Sequence, residues 1–486
     1  MLIKTIVLAA YALMIVGIGI LGMRRTRSFA DFFLGGRAVG PWMTAFTYAA
    51  AYFSAVLFIG FAGKIGWGFG YSGLWIAVGN ALVGVLGVWW LLGNRVRRVS
   101  VEYDAHTMPE FLEKRYGSRA FKLFAAVCIF VFFIPYSAAV FMGLSYLFQS
   151  HFGMSFPVAL LVMGAFTAFY MVLGGYKSMA MIDVVFGMIM VVGVGILLGY
   201  TLHAGGGLGG ITAGLATHDP RLTGWVGPGG AWPLFCLVFL TSVAPFGMPQ
   251  LVQKFYAIKS ARAIRIGMVA STVLALFICG TAYFCGATTR LFLSPEVTPA
   301  AFEAGQPVFD RLMPELLANV VPESLSVLIL LLILSASMST LAALVLISSA
   351  TVVKDFYAGF VRRDPSDRTL TLLMRCGSVL FVVVSVLLAA RRFETIVAIL
   401  GISWGAIGSV FLGPFLWGLF TRWANTVGAV GSAFVGLGTC IVLYARGHQS
   451  PEAGTLGMIV SLVSAPVFSA VAQLFKRTEA HPRARA

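Results

Sequence analysis

Runs of about twenty apolar residues, each long enough to cross the hydrocarbon core of a bilayer, recur from Leu2 to Leu474. About thirteen can be distinguished, beginning near Ile3, Trp42, Ser72, Leu123, Val158, Met181, Trp232, Met268, Leu325, Leu370, Ile396, Val427 and Gly457. Hydrocarbon offers no partner to a free amide or carbonyl, so runs of this length must cross it as helices. The expected fold class is an all-α polytopic membrane protein with about thirteen transmembrane helices. With 59% hydrophobic and 11% charged residues, the chain is no ordinary soluble domain. The first run follows Met1 without a basic segment or a small-residue cleavage site, so it is expected to be a retained helix rather than a signal peptide.

The net charge of +16 would suit a nucleic-acid binder, but its distribution argues for topology instead. Lys and Arg gather in alternate loops, at 24–37, 95–119, 254–265, 354–368, Arg422 and the tail from Lys476, with Lys64, Arg391 and Arg392 as exceptions. This is the positive-inside pattern. It predicts an amino terminus outside, a carboxyl terminus in the cytoplasm, and residence in the plasma (inner) membrane. The partners expected are membrane lipid and a small solute, not nucleic acid, and a monomer is expected to suffice. The cysteines Cys128, Cys236, Cys279, Cys285, Cys376 and Cys440 lie singly in apolar runs, without metal or disulfide spacing. The six histidines fall in loops or tails, so no histidine proton relay is expected.

Polar residues inside the apolar runs carry the functional signal. The stretch ILSASMSTLAALVLISSATVVKDFY (333–357) sets Ser335, Ser337, Ser339 and Thr340 within an otherwise apolar helix. Such hydroxyls often bond back to their own helix or to a neighbour. The alternative is that the adjacent pair Ser339 and Thr340 offers neutral oxygen ligands to a small hard cation. In PWMTAFTYAAAYFSAVLFIGFAG (41–63), small residues allow close packing or a local break, with Tyr52 and Ser54 as the polar groups an unwound segment would present. In APFGMPQLVQKFYAIKS (244–260), Pro245, Gly247 and Pro249 predict a second break. The two breaks lie five spans apart and so cross in opposite directions. That is the pattern of an inverted-repeat transporter with its site at the midplane.

Other features are read in the same way. Trp89-Trp90 beside RVRRV reads as an interfacial anchor, and TMPEFLEKRYGSR (107–119) as a cytoplasmic surface helix capped by Thr107. Pro135 beside Tyr136 predicts a kink. Gly174-Gly175 predicts a tight turn, after which Asp183 re-enters the membrane, either as an interfacial cap or as a charge on a cation route. HAGGGLGG (203–210) reads as a flexible outer loop, and Gly405, Gly408, Gly413 and Pro414 as a flexible or gating element.

Together DFFLGGRAVGPW, TMPEFLEKRYGSR, LGGYKSMAMIDVV, GMPQLVQKFYAIKS, SASMSTLAALVLISSATVVKDFY and WGAIGSVFLGPFLWGLFTRWAN resemble the sodium/solute symporter family over nearly the whole chain. The resemblance implies a LeuT-like fold with a leading helix and cytoplasmic loop (1–40), a first five-helix repeat (41–202) and an outer loop (203–230). A second, inverted repeat (231–424), two C-terminal helices (425–475) and a basic cytoplasmic tail (476–486) follow. It implies sodium-driven uptake of a small organic solute by alternating access, and no enzyme activity. Carried over by motif, the Na+ ligands are the carbonyls of Ala50, Phe53 and Ala336 and the side chains of Ser339 and Thr340, with Asp183 on the inner side of the ion path. Leu341, Ala342 and Ala343 stand where some relatives carry further hydroxyls, so a single Na+ is expected. Solute contacts are expected from Tyr52, Ser54, Phe58, Tyr136, Phe246 and Met248. This mostly apolar set suits a monocarboxylate, an amino acid or a pantothenate-like acid. Lys64 stands at the expected outer entrance, as a snorkelling lysine or an attractor of anions. The alternatives are a proton-coupled symporter in which Asp183 titrates, or a membrane enzyme or sensor. The last two lack convergent catalytic groups and an output domain.

Overall fold

The computed structural model describes residues 2–25, 33, 39–173, 176–362 and 365–479. The Gly174-Gly175 turn, most of the DFFLGGRAVGPW stretch and the end of the basic tail lie outside the described residues. Among these residues the fold is helical apart from a two-stranded hairpin pairing Phe302–Glu303 with Gln306–Pro307. Among the described residues ten helices are long and apolar enough to cross a membrane, or eleven with a pair bent by 41° taken as one span.

All thirteen apolar runs fall on helical segments, and the difference in count has a physical origin. Residues 56–102 are helical over 47 residues. At about 1.5 Å per residue that is ~70 Å, too long for one pass of the ~30 Å hydrocarbon core: the stretch holds the second half of the crossing begun by Pro41–Tyr52 and one further crossing, 74–102. The reversal is at Gly70, whose φ of 58° is open to a residue without a side chain. Phe156–Leu173 is a shorter apolar helix, and the bent pair joins 231–247 to Pro249–Tyr256.

Burial sorts the helices into centre and periphery. The apolar windows of 325–361 and Ile396–Phe420 are 94% and 89% buried, whereas those of the first and last helices are each 22% buried. Around this centre, breaks occur where the sequence frees the backbone. Pro41–Tyr52 ends with Phe53 extended and Ser54 outside any helix, before the chain resumes as a wide π-turn over Val56–Phe61 and an α-helix over Ala62–Phe69. The second broken helix runs from Ala231–Val243 through a 3-10 turn at Ala244–Gly247 to Pro249–Tyr256.

Several readings from sequence are corrected by packing. Pro414 and the glycines of Ile396–Phe420 lie in one continuous helix; a Cβ on Gly405 would stand 2.5 Å from the Gly454 Cα, so these glycines serve close helix contact rather than flexion. Arg119–Phe152 runs as one helix with Pro135 inside it, and Ser403 donates to the Phe132 carbonyl one turn earlier. The expected flexible loop contains a helix, Gly207–His218. Trp89 is no interfacial anchor, since it is fully buried against Tyr48 and Phe255, while Trp90 is exposed. His151 lies in the last turn of a helix.

At the end of the bundle carrying the basic loops, the surface helix Met108–Tyr116 begins as expected, with Thr107 accepting from Glu110 N. It ties two central helices together. Thr107 donates to Asp355 at 2.7 Å, Tyr116 donates to the Pro414 carbonyl at 2.7 Å, and Arg115 donates to the carbonyls of Gly418, Thr421 and Ala424. Burial alone would raise the Glu110 carboxyl, but His106 and the Lys354 ammonium outweigh it and hold the group at about 2.

The tightest backbone crossing joins Ala62–Phe69 to Ala261–Ala287. A Cβ on Gly66 would lie 2.0 Å from the Gly286 carbonyl carbon, whereas one on Gly68 would meet nothing within 4 Å. Gly66→Ala is expected to lower the thermal unfolding midpoint in detergent, by overpacking on the order of 1–3 kcal/mol. Gly68→Ala, on the same helix, is expected not to lower it.

Candidate functional site

The break in the first broken helix releases backbone groups that the hydroxyl-bearing helix Glu323–Ala350 meets. Ser337 Oγ accepts from Ala55 N at 2.9 Å and donates to the Ile333 carbonyl at 2.6 Å, so it caps the restarting helix. Ser54 Oγ accepts from Val56 N at 3.2 Å. Thr340 Oγ1 faces four carbonyl oxygens, those of Ala336 at 3.1 Å, Phe53 at 3.3 Å, and Ala50 and Ala51 both at 3.4 Å. A hydroxyl has one proton, and none of these distances reaches the usual ~2.7–2.8 Å of a good O–H···O bond. Ser339 Oγ is fully buried and, among the described residues, without a hydrogen-bond partner. The result is an acceptor-rich cage contributed by two helices, and its neutral oxygens are the donor set that a small hard cation prefers.

The four hydroxyls thus have separate surroundings. Ser335 donates to Tyr11 OH on the leading helix, Ser337 caps, Thr340 faces the released carbonyls, and Ser339 lies toward Asp183. The carbonyls of Ala50, Phe53 and Ala336 are brought together with the Thr340 hydroxyl, and the Ala51 carbonyl joins them, a member that residue type alone could not reveal; Ser339 is the next residue along the helix and makes no hydrogen bond to them.

Asp183 is fully buried and is the eighth residue of Tyr176–Ala204, beyond the turn that a helix cap would serve, and among the described residues neither carboxyl oxygen has a hydrogen-bond partner. It lies near the hydroxyls of Ser339 and Thr47 without closing a bond to either, and its charge partner is Lys254. Lys254 therefore does not belong with the exposed cytoplasmic loop residues. It is fully buried in Pro249–Tyr256, with its ammonium 5.2 Å from the Tyr176 ring centroid.

Beside the cage is a central cavity of about 30 Å³, lined by Tyr52, Phe53, Ser54, Val56, Leu57, Phe61, Asn80, Tyr136, Thr241, Tyr283, Leu400 and Trp404. Tyr52 donates to the Thr241 carbonyl at 2.6 Å, bridging the two broken helices. The Trp404 ring meets Tyr52 and Tyr136 edge-on, with centroids 6.0 and 5.9 Å away, and its indole N–H is buried without an acceptor. Tyr52, Ser54 and Tyr136 line this cavity as expected, but Phe58, Phe246 and Met248 do not. Phe58 is buried elsewhere in the π-turn whose wall residues are Val56, Leu57 and Phe61, Phe246 packs near Gly87, and Met248 is buried at the second break. Asn80, Thr241, Tyr283 and Trp404 were missed, because spans without a recognisable break carry no local mark of facing a cavity.

A larger cavity of about 830 Å³ opens at the end opposite the basic loops, lined in part by Lys64, Trp67, Trp232, Glu394, Val397, His448 and Glu452. Its wall continues into the central cavity one helical turn at a time, as Ile65 to Phe61, Leu237 to Thr241, and Val397 to Leu400 to Trp404. The two spaces share an axis. The cavity at the basic end, near Thr107 and Gln253, measures only about 10 Å³.

Broken helices meeting at mid-bundle, with released carbonyls opposite a hydroxyl pair and an open approach from one end, define a secondary transporter. The chain matches the Sodium:solute symporter family over residues 32–436, and it belongs to that family. It is 29% identical over 477 residues to the Escherichia coli sodium/pantothenate symporter, covering 94% of this chain and 95% of that one. It is 29% identical over 439 residues to the Bacillus subtilis high-affinity proline transporter PutP, covering 87% and 89%. Among solved structures, a substrate-bound, outward-open Na+-coupled sialic acid symporter superposes with a TM-score of 0.79 at 18% identity, covering 96% and 97%. The nucleobase-cation symporter Mhp1 superposes at 0.51 and 15% identity, covering 91% and 95%. These likenesses establish the LeuT-like fold. The protein is a sodium-coupled symporter and a multi-pass membrane protein, not an enzyme.

Near the larger cavity, Asp310 accepts from Ile396 N at 3.1 Å, and Lys64 donates to Thr395 at 3.4 Å. Burial pushes the Asp310 carboxyl up to about 6, against the Ile396 N–H and the Lys64 charge. A folded-state value above the ordinary carboxylate value means that the native protein holds the proton longer. Stability from this group is present below about pH 4 and is lost as pH rises through about 6. Thermal midpoints across this window should fall in the wild type, by the equivalent of ~1–3 kcal/mol, and should be flatter in Asp310→Asn.

Proposed function

We propose that the protein imports a small organic solute carrying one carboxylate, driven by one Na+ held by the carbonyls of Ala50, Phe53 and Ala336 and the side chains of Ser339 and Thr340. The observation that carries this reading is the Thr340 hydroxyl set among four carbonyl oxygens beside a partnerless Ser339. The cage takes ligands from two helices, so a bound ion favours the conformation that holds them together. Its differential affinity for the two conformations is the coupling. Asp183 then lies on the inward route of the ion.

The orientation follows from charge, with the amino terminus outside and the basic loops and carboxyl terminus in the cytoplasm. In that orientation the larger cavity faces outward and the sealed end inward. Residues 41–202 and 231–424 act as the two inverted repeats, and one protomer contains every group the reading needs.

The solute class is read from the central cavity, whose lining holds no charged side chain. Its polar handles are the Trp404 indole N–H, Tyr136, Asn80 and Ser54, among aromatic and aliphatic walls. Such a site suits a small solute whose carboxylate is neutralised by the nearby cation. An amino acid, a simple monocarboxylate or a pantothenate-like acid meets that description, and two of the relatives named above carry pantothenate and proline.

Sodium should raise the thermal midpoint of the purified protein by mass action, and a small carboxylate, amino acid or pantothenate should add to the shift only with sodium present. In Ser339→Ala/Thr340→Ala, the sodium concentration for half-maximal shift should rise on the order of tenfold or more, with the sodium-free midpoint little changed. An unaltered sodium response in the double variant would refute the cage. Stabilisation by protons in place of sodium would transfer the coupling to Asp183.

A further inference from the structure

The cage is not the end of the polar path through the bundle. Next to Ser339 comes Asp183, and next to Asp183 comes Lys254, two oppositely charged groups with no solvent exposure. Buried opposite charges are ordinarily retained by a short, well-formed ion pair that satisfies their remaining hydrogen-bonding capacity. Here, among the described residues, neither carboxyl oxygen of Asp183 nor the Lys254 ammonium has a hydrogen-bond partner. The ammonium lies over the Tyr176 ring face, 5.2 Å from its centroid, and the Tyr176 hydroxyl is itself buried and without a partner among the described residues. Lys254 lies in Pro249–Tyr256, the segment after the second break, in which every residue is buried. The two charges are thus carried by different elements, Tyr176–Ala204 and the second broken helix, and they meet at Tyr176, whose ring faces the Lys254 ammonium and which precedes Asp183 by seven residues, two turns along the same helix face.

We propose that Lys254 is a tethered cation that competes with the transported Na+ for Asp183, and so acts as a positioning residue that sets how tightly the ion is held and how readily it leaves. With the cage empty of sodium, the ammonium balances the buried carboxylate, so the path is never left with a bare negative charge at membrane depth. A sodium ion moving from Ser339 and Thr340 toward Asp183 makes that balance redundant, and the ammonium repels it onward. Without the ammonium, Asp183 would hold the ion more strongly and release it more slowly. The same competition fits a chain with one coupling ion, since a side chain supplies the second positive charge beside the cage. This inference rests on the sodium cage proposed above.

The test uses the full-length protein, with NaCl as the probe and choline chloride holding ionic strength constant. Sodium-dependent thermal shifts are compared for wild type, Lys254→Gln, Lys254→Arg, Asp183→Asn and the double variant Asp183→Asn/Lys254→Gln. Lys254→Gln is expected to lower the half-saturating sodium concentration on the order of tenfold, and Lys254→Arg to stay near wild type. In the Asp183→Asn background, Lys254→Gln is expected to change it less than twofold, because the group under competition has been removed. The double variant replaces both charges, so it keeps the comparison available if Lys254→Gln alone folds poorly. In that event, a sodium-free midpoint restored by the second substitution supports the pair. Lys254→Gln with an unchanged sodium requirement, or an equal change with and without Asp183, overturns the proposal. A wild type that ignores sodium fails the cage itself, whereas a responsive wild type with an indifferent Lys254→Gln fails only this inference.

Discussion

A helix can be broken inside hydrocarbon only where another group takes up the backbone it releases, and most of this architecture follows from how that need is met at Phe53 and Ser54. The released amides are satisfied by ordinary means, Ala55 N by the Ser337 hydroxyl and Val56 N by Ser54. The released carbonyls are not. Those of Ala50, Ala51 and Phe53 gather with Ala336 around the single proton of Thr340. A site short of protons and rich in oxygen is poor as a hydrogen-bond network and well suited to a cation. The hydroxyl helix must then stay central and almost wholly buried, since any exposure would let water compete for those oxygens.

This explains what could be read from the residues alone. Pro245, Gly247 and Pro249 announce a break because they remove donors and free the backbone. Ser339 and Thr340 stand out because a hydroxyl in an apolar run needs a reason to be there. The carbonyls themselves are invisible, since every residue has one, and only the resemblance singled out Ala50, Phe53 and Ala336. Lys254 was hidden for the opposite reason. A lysine at the start of the basic stretch 254–265 reads as a loop charge, and only packing reveals that Pro249–Tyr256 carries it inside. The Gly405, Gly408 and Gly413 series failed similarly, because small residues look alike whether they permit bending or close approach; a Cβ on Gly413 would lie 2.3 Å from the Ser461 carbonyl oxygen.

The two ends of the transport axis are closed by different chemistry. On the basic side, Tyr48 from the first broken helix, Phe255 from the second and Trp89 form a mutually packed aromatic cluster, with centroids 5.1–5.7 Å apart. Below it, Met108–Tyr116 fastens Asp355 and Pro414 by side-chain bonds. On the other side, only about one turn of each wall helix, with Ile65, Leu237 and Val397 above Phe61, Thr241 and Leu400, separates the larger cavity from the central one. Aromatic packing reinforced by directional hydrogen bonds is harder to open than a single apolar layer. The conformation is therefore biased toward access from the end opposite the basic loops.

That bias bears on how an ion could drive uptake. Under the proposed assignment, the cage draws Ala50 and Phe53 from a helix whose lower half belongs to the aromatic seal, and Ser339 and Thr340 from a helix whose lower end is held by the surface latch through Asp355. An ion between them therefore stabilises the state with the basic end shut, and opening that end must first weaken the ion's hold. Coupling energies of about 1–3 kcal/mol suffice for this, comparable to one or two of the side-chain bonds in the latch. Ion release and opening of the basic end become a single event, and a charge already waiting beside Asp183 is where such an event would be set in motion.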